Sequence, residues 1–252
     1  MSAGPAVALS LSGETAIVTG AGRGIGRAIA RAFADAGATV VLASRTRDDI
    51  DRTLDEITRS GGNAVAHAAD VTRKADADAL VGRALEATGR LDIVVNNAGI
   101  FLRKALANLE EAEWDRILET NLKAAYLLIH AALPALMKAP RGRILNVSSI
   151  HGTVGDADVV AHCAAKFGLV GLTKALASEL RGVGITVNAI CPGSTESRGR
   201  EESLRPHEAP LKEKLNPEDV AGAALFLASP ASAPITGAVL DVWGGTYVAI
   251  RG

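Results

Sequence analysis

The sequence predicts an α/β protein with a doubly wound parallel sheet of about seven strands, and three observations carry that prediction. Short β-branched apolar runs alternate with longer amphipathic stretches along all 252 residues, the pattern of strands buried on both faces with helical crossovers between them. A glycine-rich turn follows the first apolar run and leads straight into a helical pattern. No linker, repeat or low-complexity stretch divides the chain, so residues 1–252 form a single domain, near the upper size that one compact core supports.

In order, the strand candidates are TAIVT at 15–19, ATVVLAS at 38–44, NAVAHAAD at 63–70, LDIVVNN at 91–97, GRILNVSS at 142–149, ITVNAICP at 185–192 and AVLDV at 238–242. The segments between them, such as GRAIARAFADAG and ADALVGRALEATG, hold apolar residues at helical spacing and end in glycine, a residue that caps helix C-termini well. One long irregular stretch, from Cys191 to Asp219, is rich in Gly, Pro and charge. Connections of that length inside a compact domain serve as lids or carry local disorder, and residues 193–216 are taken as a substrate lid. Its charged residues Arg198, Arg200, Glu201, Glu202 and Arg205 read either as a polar cover or as a solvated surface.

Composition excludes several classes of function. Hydrophobic residues make up 48% and charged ones 22%, with a formal net charge of −1. That balance gives no broad attraction for nucleic acid or an anionic membrane. No stretch reads as a targeting signal or as a run of roughly 18 to 20 apolar residues able to span a membrane, and a cytoplasmic location is expected. The cysteines, Cys163 and Cys191, form neither a zinc signature nor a disulfide framework and read as small buried hydrophobes. No metal site is expected.

The chemistry begins at TGAGRGIGRAIA. Gly20, Gly22, Gly24 and Gly26 let the chain turn tightly and let backbone N–H groups approach a pyrophosphate at the positive end of the following helix. The spacing departs from the strict G-x-G-x-x-G fingerprint at Ile25 and Arg27. In NAD sites an acidic residue at the end of the second strand holds the ribose 2′-hydroxyl. Here that strand ends in Ser44 and Arg45. A guanidinium there, with Arg23 in the glycine loop as a second, suits a 2′-phosphate, so NADP(H) is favoured over NAD(H).

The series TGAGRGIG, ADVT, NNAG, NVSS and CPG, followed by PEDVAGAALFLAS and ITGAVLDVWGG, resembles the classical short-chain dehydrogenase/reductase family nearly end to end. The resemblance implies cofactor contacts from Gly20, Arg23, Gly24, Ile25 and Gly26, from Ser44 and Arg45, and from Asp70 and Val71. It extends them to Asn97, Ala98 and Gly99, to Lys166, and to Pro192 and Gly193. It also implies a catalytic set in which Asn121 holds a water, Ser149 binds the substrate oxygen and Lys166 binds the nicotinamide ribose. The tyrosine that completes this set in the family is replaced by His162, 13 residues after Ser149 and four before Lys166. Neither tyrosine of the chain, Tyr126 or Tyr247, has a lysine four residues on. The family relation further implies a homotetramer or dimer, built on the helices of Asn121 and Lys166, and a small carbonyl or alcohol substrate.

An imidazole titrates near ~6.5 in water, and both burial and the charge of Lys166 favour the uncharged ring. A neutral imidazole is a good base and a poor acid, so alcohol oxidation is expected to be helped more than carbonyl reduction, and reduction to improve as pH falls. The shorter reach of imidazole asks for a deeper substrate or a bridging water. His151 is either a second proton donor or an ordinary surface or packing residue. Three uses of His162 stay open: a working acid or base in a redox enzyme, a mark of a cofactor-binding protein or of a non-redox enzyme such as an isomerase, dehydratase or cyclase, or a tyrosine replaced to trap a ligand. Cys163 beside it is no nucleophilic partner, since adjacent helical residues diverge by about 100°.

Overall fold

The computed structural model describes residues 9–195 and 215–243. Most of the expected lid, with Arg198, Arg200, Glu201, Glu202 and Arg205, and also Tyr247, lies outside the described residues. Seven parallel strands form one sheet in the order β3-β2-β1-β4-β5-β6-β7. They are β1 Thr15–Thr19, β2 Thr39–Ser44, β3 Asn63–Ala68, β4 Ile93–Asn96, β5 Arg143–Val147, β6 Thr186–Pro192 and β7 Val239–Val242. Each expected strand is present, shorter by up to three residues where polar ends such as Ser148 and Ser149 leave the ladder. The central strands β1, β4 and β5 are buried along their whole length. The edge strand β3 is only partly buried.

Helices cover both faces. On one side α1 Gly24–Asp35, α2 Arg47–Arg59 and α7 Pro217–Ala228 join Val18, Val40, Leu42 and Val95 of the sheet in a core around Phe33 and Ile29. On the other, α3 Lys74–Thr88, α5 Ala124–Leu136 and α6 Val160–Glu179 close over Ile17, Val41, Val94 and Ile144. Local signals fix the ends: α3 stops at Gly89 in the left-handed region, and α7 starts in a capping box between Asn216 and Asp219 with Pro217 in its first turn.

Two features position the site. Because all strands run the same way, their C-terminal ends meet at one edge, and the chain reverses direction across the sheet between β1 and β4, where such folds form a crevice. A buried polar chain then anchors α6. Asn96 of β4 donates to Asn146 of β5 at 2.9 Å, Asn146 donates to Thr173 of α6 at 2.9 Å, and Thr173 donates to the Leu169 carbonyl at 2.8 Å. The helix α6 has 20 residues, and an 18-residue window of it reaches a mean hydropathy of 1.2, enough to cross a membrane by length and composition only. Its lining face is committed to the protein core, where Ala161, Ala165, Leu169 and Ala177 are buried.

Candidate active site

The turn after β1 is built to receive an anion. Gly20 and Gly24 adopt φ of +66° and +51°, and a Cβ on Gly26 would overlap the carbonyl oxygen of Gly20 and the Asn97 amide. No side chain caps the start of α1, and its first turn holds no acidic residue, so the exposed N–H groups and the positive helix end remain available. This cradle fits a dinucleotide pyrophosphate. Arg23, just before α1, and Arg45, just after β2, are exposed, and among the described residues neither enters an ion pair. Ser44 accepts from the Thr46 N–H at 3.3 Å. Asp70 accepts from the Thr72 hydroxyl at 2.7 Å, and that bond, aided by the charges of Arg45 and Arg73, holds its carboxyl below the usual range. Val71 beside it is buried.

Thr19, at the end of β1, is a hub that the motif spacing did not reveal. Its hydroxyl accepts from the N–H groups of Asn97 at 2.9 Å and Ala98 at 3.0 Å, and donates to the Val95 carbonyl at 3.2 Å. The Asn97 amide returns a bond to the Thr19 carbonyl at 2.9 Å. The crevice between β1 and β4 is thereby pinned from both sides.

The residues expected to carry chemistry lie around α6. Asn121 sits in a π-helical turn, Glu119–Lys123, between α4 Glu111–Leu118 and α5; such single turns are frequent at functional sites. Its Oδ1 accepts from the Ile100 N–H at 2.8 Å and its Nδ2 donates to the Ile100 carbonyl at 2.9 Å. A Cβ on Gly99 would lie 2.9 Å from Oδ1, so glycine permits this approach. Both bonds assign the amide orientation, which leaves Nδ2 as the atom 3.4 Å from His162 Nδ1. A hydrogen bond across that contact requires Nδ1 to accept, the arrangement of a neutral ring protonated on Nε2.

His162 is 6% exposed. The ring of Phe101 meets it edge-on with centroids 4.9 Å apart, and His151 crosses it at 5.7 Å and 82°. His151 is therefore no surface residue: its side chain is 12% exposed and its Nε2 lies 3.6 Å from Asp156 Oδ2. Ser149 Oγ accepts from the His151 N–H at 3.2 Å, which uses a lone pair and leaves its hydroxyl proton free to donate. Neither Phe101 nor Asp156 carried a motif, and only folding brings them here.

Lys166 is buried, and its Nζ donates to the Val147 carbonyl at the end of β5 at 2.8 Å. Burial lowers its pKa to about 8. Nearby Cys191 is fully buried, with its thiol raised to about 11 by burial and by the charge of Asp241. Cys163, in contrast to expectation, is only partly buried. Pro192 ends β6, and Gly193 donates to the Val242 carbonyl at 2.9 Å. Thus Asn121, Ser149, His162 and Lys166 converge beyond β4, β5 and β6, while the glycine turn, Ser44, Arg45, Asp70 and Val71 lie along the same edge toward β2 and β3. Among the described residues no group of His, Cys, Asp and Glu could hold a metal ion.

Comparison with known proteins agrees with this architecture. The family model described as enoyl-(acyl carrier protein) reductase matches residues 20–247. The 3-oxoacyl-[acyl-carrier-protein] reductase FabG of Vibrio cholerae is 37% identical over 246 residues, covering 95% of this chain and 100% of the relative. A structure of an NAD(P)-dependent gluconate 5-dehydrogenase from Beutenbergia cavernae, with NADP at low occupancy, is 40% identical with a TM-score of 0.86 and covers 94% of this chain and 98% of that one. A 7α-hydroxysteroid dehydrogenase solved with NADH and a 7-oxo bile acid is 33% identical with a TM-score of 0.90, covering 95% and 96%. With its doubly wound sheet, its anion cradle and relatives that match end to end, the chain belongs to the short-chain dehydrogenase/reductase family of oxidoreductases.

Proposed function

We propose that the protein is an NADP(H)-dependent enzyme that interconverts a small carbonyl and an alcohol, with His162 in the place of the family's usual tyrosine. The observation that carries this reading is the convergence of Asn121, His162 and the buried Lys166 at the sheet edge that also holds the uncapped glycine turn. When bound there, the nicotinamide donates or accepts the hydride. The first turn of α1 with Gly20, Arg23, Gly24, Ile25 and Gly26 holds the pyrophosphate. Arg45, Arg23 and Ser44 hold a 2′-phosphate, and Asp70, Val71, Asn97, Ala98 and Gly99 line the adenine and ribose side. Pro192 and Gly193 border the nicotinamide. Lys166 gives its protons to the ribose hydroxyls.

Ser149 donates its free hydroxyl proton to the substrate oxygen. His162 offers Nε2–H to the same oxygen, because Asn121 occupies Nδ1. Two preorganised donors stabilise charge that grows on that oxygen during reduction, and a neutral imidazole suits such an electrophilic role. The resemblance and the exposed rings of Tyr126 and Phe167, 51% and 45% accessible on α5 and α6, support a homodimer or tetramer built on these helices. Two free cysteines suit a reducing cytoplasm.

The test follows NADPH and NADH absorbance against a panel of ketones, aldehydes and acyl thioesters from pH 5.5 to 9.5, with the alcohols and oxidised cofactors in the reverse direction. Turnover with NADPH preferred is the expected result. Tight cofactor binding without consumption in either direction would show a nucleotide-binding protein or a non-redox enzyme instead.

A further inference from the structure

We infer that His151, backed by Asp156, is a second proton-transfer residue, exchanging the proton with the substrate oxygen while His162 holds that oxygen as a neutral donor. The inference rests on the oxidoreductase reading and names a residue for which neither the motif nor the fold assigns a role.

The geometry separates the two imidazoles. His162 faces an amide donor at Nδ1, 3.4 Å away, and shares its helix with the buried ammonium of Lys166 one turn on. A second ring proton on His162 would meet a donor at Nδ1 and a like charge nearby, so its neutral form is the one the surroundings accept. His151 has the opposite surroundings. Its Nε2 lies 3.6 Å from the carboxylate of Asp156, which compensates a positive ring. Its side chain is 12% exposed, enough contact with water for the ring to regain or release a proton.

Other charged groups bear on this pair. Arg103, on the segment after β4, lies 3.3 Å from the same Asp156 oxygen and shares the carboxylate, while its guanidinium stands 5.9 Å over the Phe101 ring. His162 and Lys166 face from α6. Phe101, stacked at 6.3 Å on His151 and edge-on at 4.9 Å to His162, supplies an apolar wall to both rings. The 82° crossing of the two imidazoles is an edge-to-face contact, not an in-plane hydrogen bond, so His151 acts beside His162 rather than through it. Ser149, whose Oγ accepts from the His151 backbone N–H, sets the oxygen and His151 on one turn.

During reduction a bound reduced nicotinamide would supply the hydride, its own C–H bond breaking as the new C–H bond forms at the carbonyl carbon and the cofactor is oxidised; the C=O π pair moves onto oxygen, and an N–H bond of the His151 imidazolium breaks to form the O–H bond. The neutral ring then takes a proton from water. Oxidation runs the same steps in reverse, with His151 accepting the hydroxyl proton.

The test compares wild type with His151→Gln and Asp156→Asn by pH profile and by ¹⁵N-histidine NMR of the protein with NADPH added. A general acid contributes about 10²- to 10⁴-fold, so His151→Gln lowers kcat for reduction at pH 6 by about 100-fold or more and removes the rise of rate with falling pH. NADPH binding, read by fluorescence, stays within about twofold. Asp156→Asn keeps the rise but moves it to lower pH, since the compensating carboxylate is gone. In the NMR arm His151 gains a ring proton as pH falls, at a midpoint that drops in Asp156→Asn, while His162 keeps a single proton on Nε2.

An unchanged pH limb in His151→Gln, or a limb that instead tracks the His162 ring resonance, overturns the inference. So does a His151 ring whose titration ignores Asp156→Asn. Wild type that consumes no NADPH under any condition sinks the oxidoreductase reading itself; wild type that turns over while His151→Gln matches it sinks only the role of His151.

Discussion

Replacing Lys166 by methionine tests the energetics of the site without reference to any substrate. Lys166 is buried, and in the folded protein its pKa falls from 10.5 to about 8 because burial penalises the ammonium. In the unfolded chain it returns to the ordinary lysine value. Between those values the unfolded state binds a proton that the folded state has released, so stability rises with pH across the window. For one such group the gain between pH 7 and pH 10 is about 2.5 kcal/mol, because each tenfold change in proton affinity is worth about 1.36 kcal/mol. Below pH 7 both states are protonated and the contribution is flat. Methionine has similar length and no charge, so subtracting its stability curve from that of wild type cancels the other titrating groups. Urea unfolding at fixed protein concentration, repeated at half-unit pH steps from 6 to 10, gives the difference curve. Wild type should gain on Lys166→Met steadily above pH 7. A flat or falling difference would refute the claim that this ammonium is held against a desolvation penalty.

Four further outcomes follow from the geometry. Thr19→Val strands the Asn97 and Ala98 N–H groups that now share one hydroxyl, and should cost about 1 to 3 kcal/mol by chemical denaturation. Gly99→Ala sets a methyl 2.9 Å from Asn121 Oδ1; overpacking of this kind costs about 1 to 3 kcal/mol, and the Asn121 side-chain resonances should shift in the ¹⁵N spectrum. Arg45→Ala should raise the KM for NADPH about tenfold or more with little change for NADH, the loss expected of one charge-assisted phosphate contact. On the proposed reading, His162→Tyr, assayed in both directions, should set a phenolic proton donor beside Lys166. Activity appearing only in the tyrosine variant would mark the histidine as a disabling change.

How much of this was legible before folding varies by residue. The order of strands and helices was readable because each central strand is buried on both faces and so carries a mainly apolar, β-branched text, as TAIVT does at 15–19. The glycine turn was readable because a positive φ and a backbone approach of the kind at Gly20 and Gly26 exclude side chains. His162 and Lys166 stood out through their spacing on one helix. Strand ends, by contrast, depend on where ladder partners stop.

The sequence by itself determined the layered fold and singled out the glycine turn and Asn121, Ser149, His162 and Lys166 as candidates, since each follows from local pattern or from resemblance. Only the tertiary structure decided the surroundings of those side chains. It placed an amide donor against His162 Nδ1, a carboxylate against His151, and Lys166 out of water. Those contacts join residues tens of positions apart, and an imidazole takes its charge and tautomer from whatever donor, acceptor or charge the fold sets beside it.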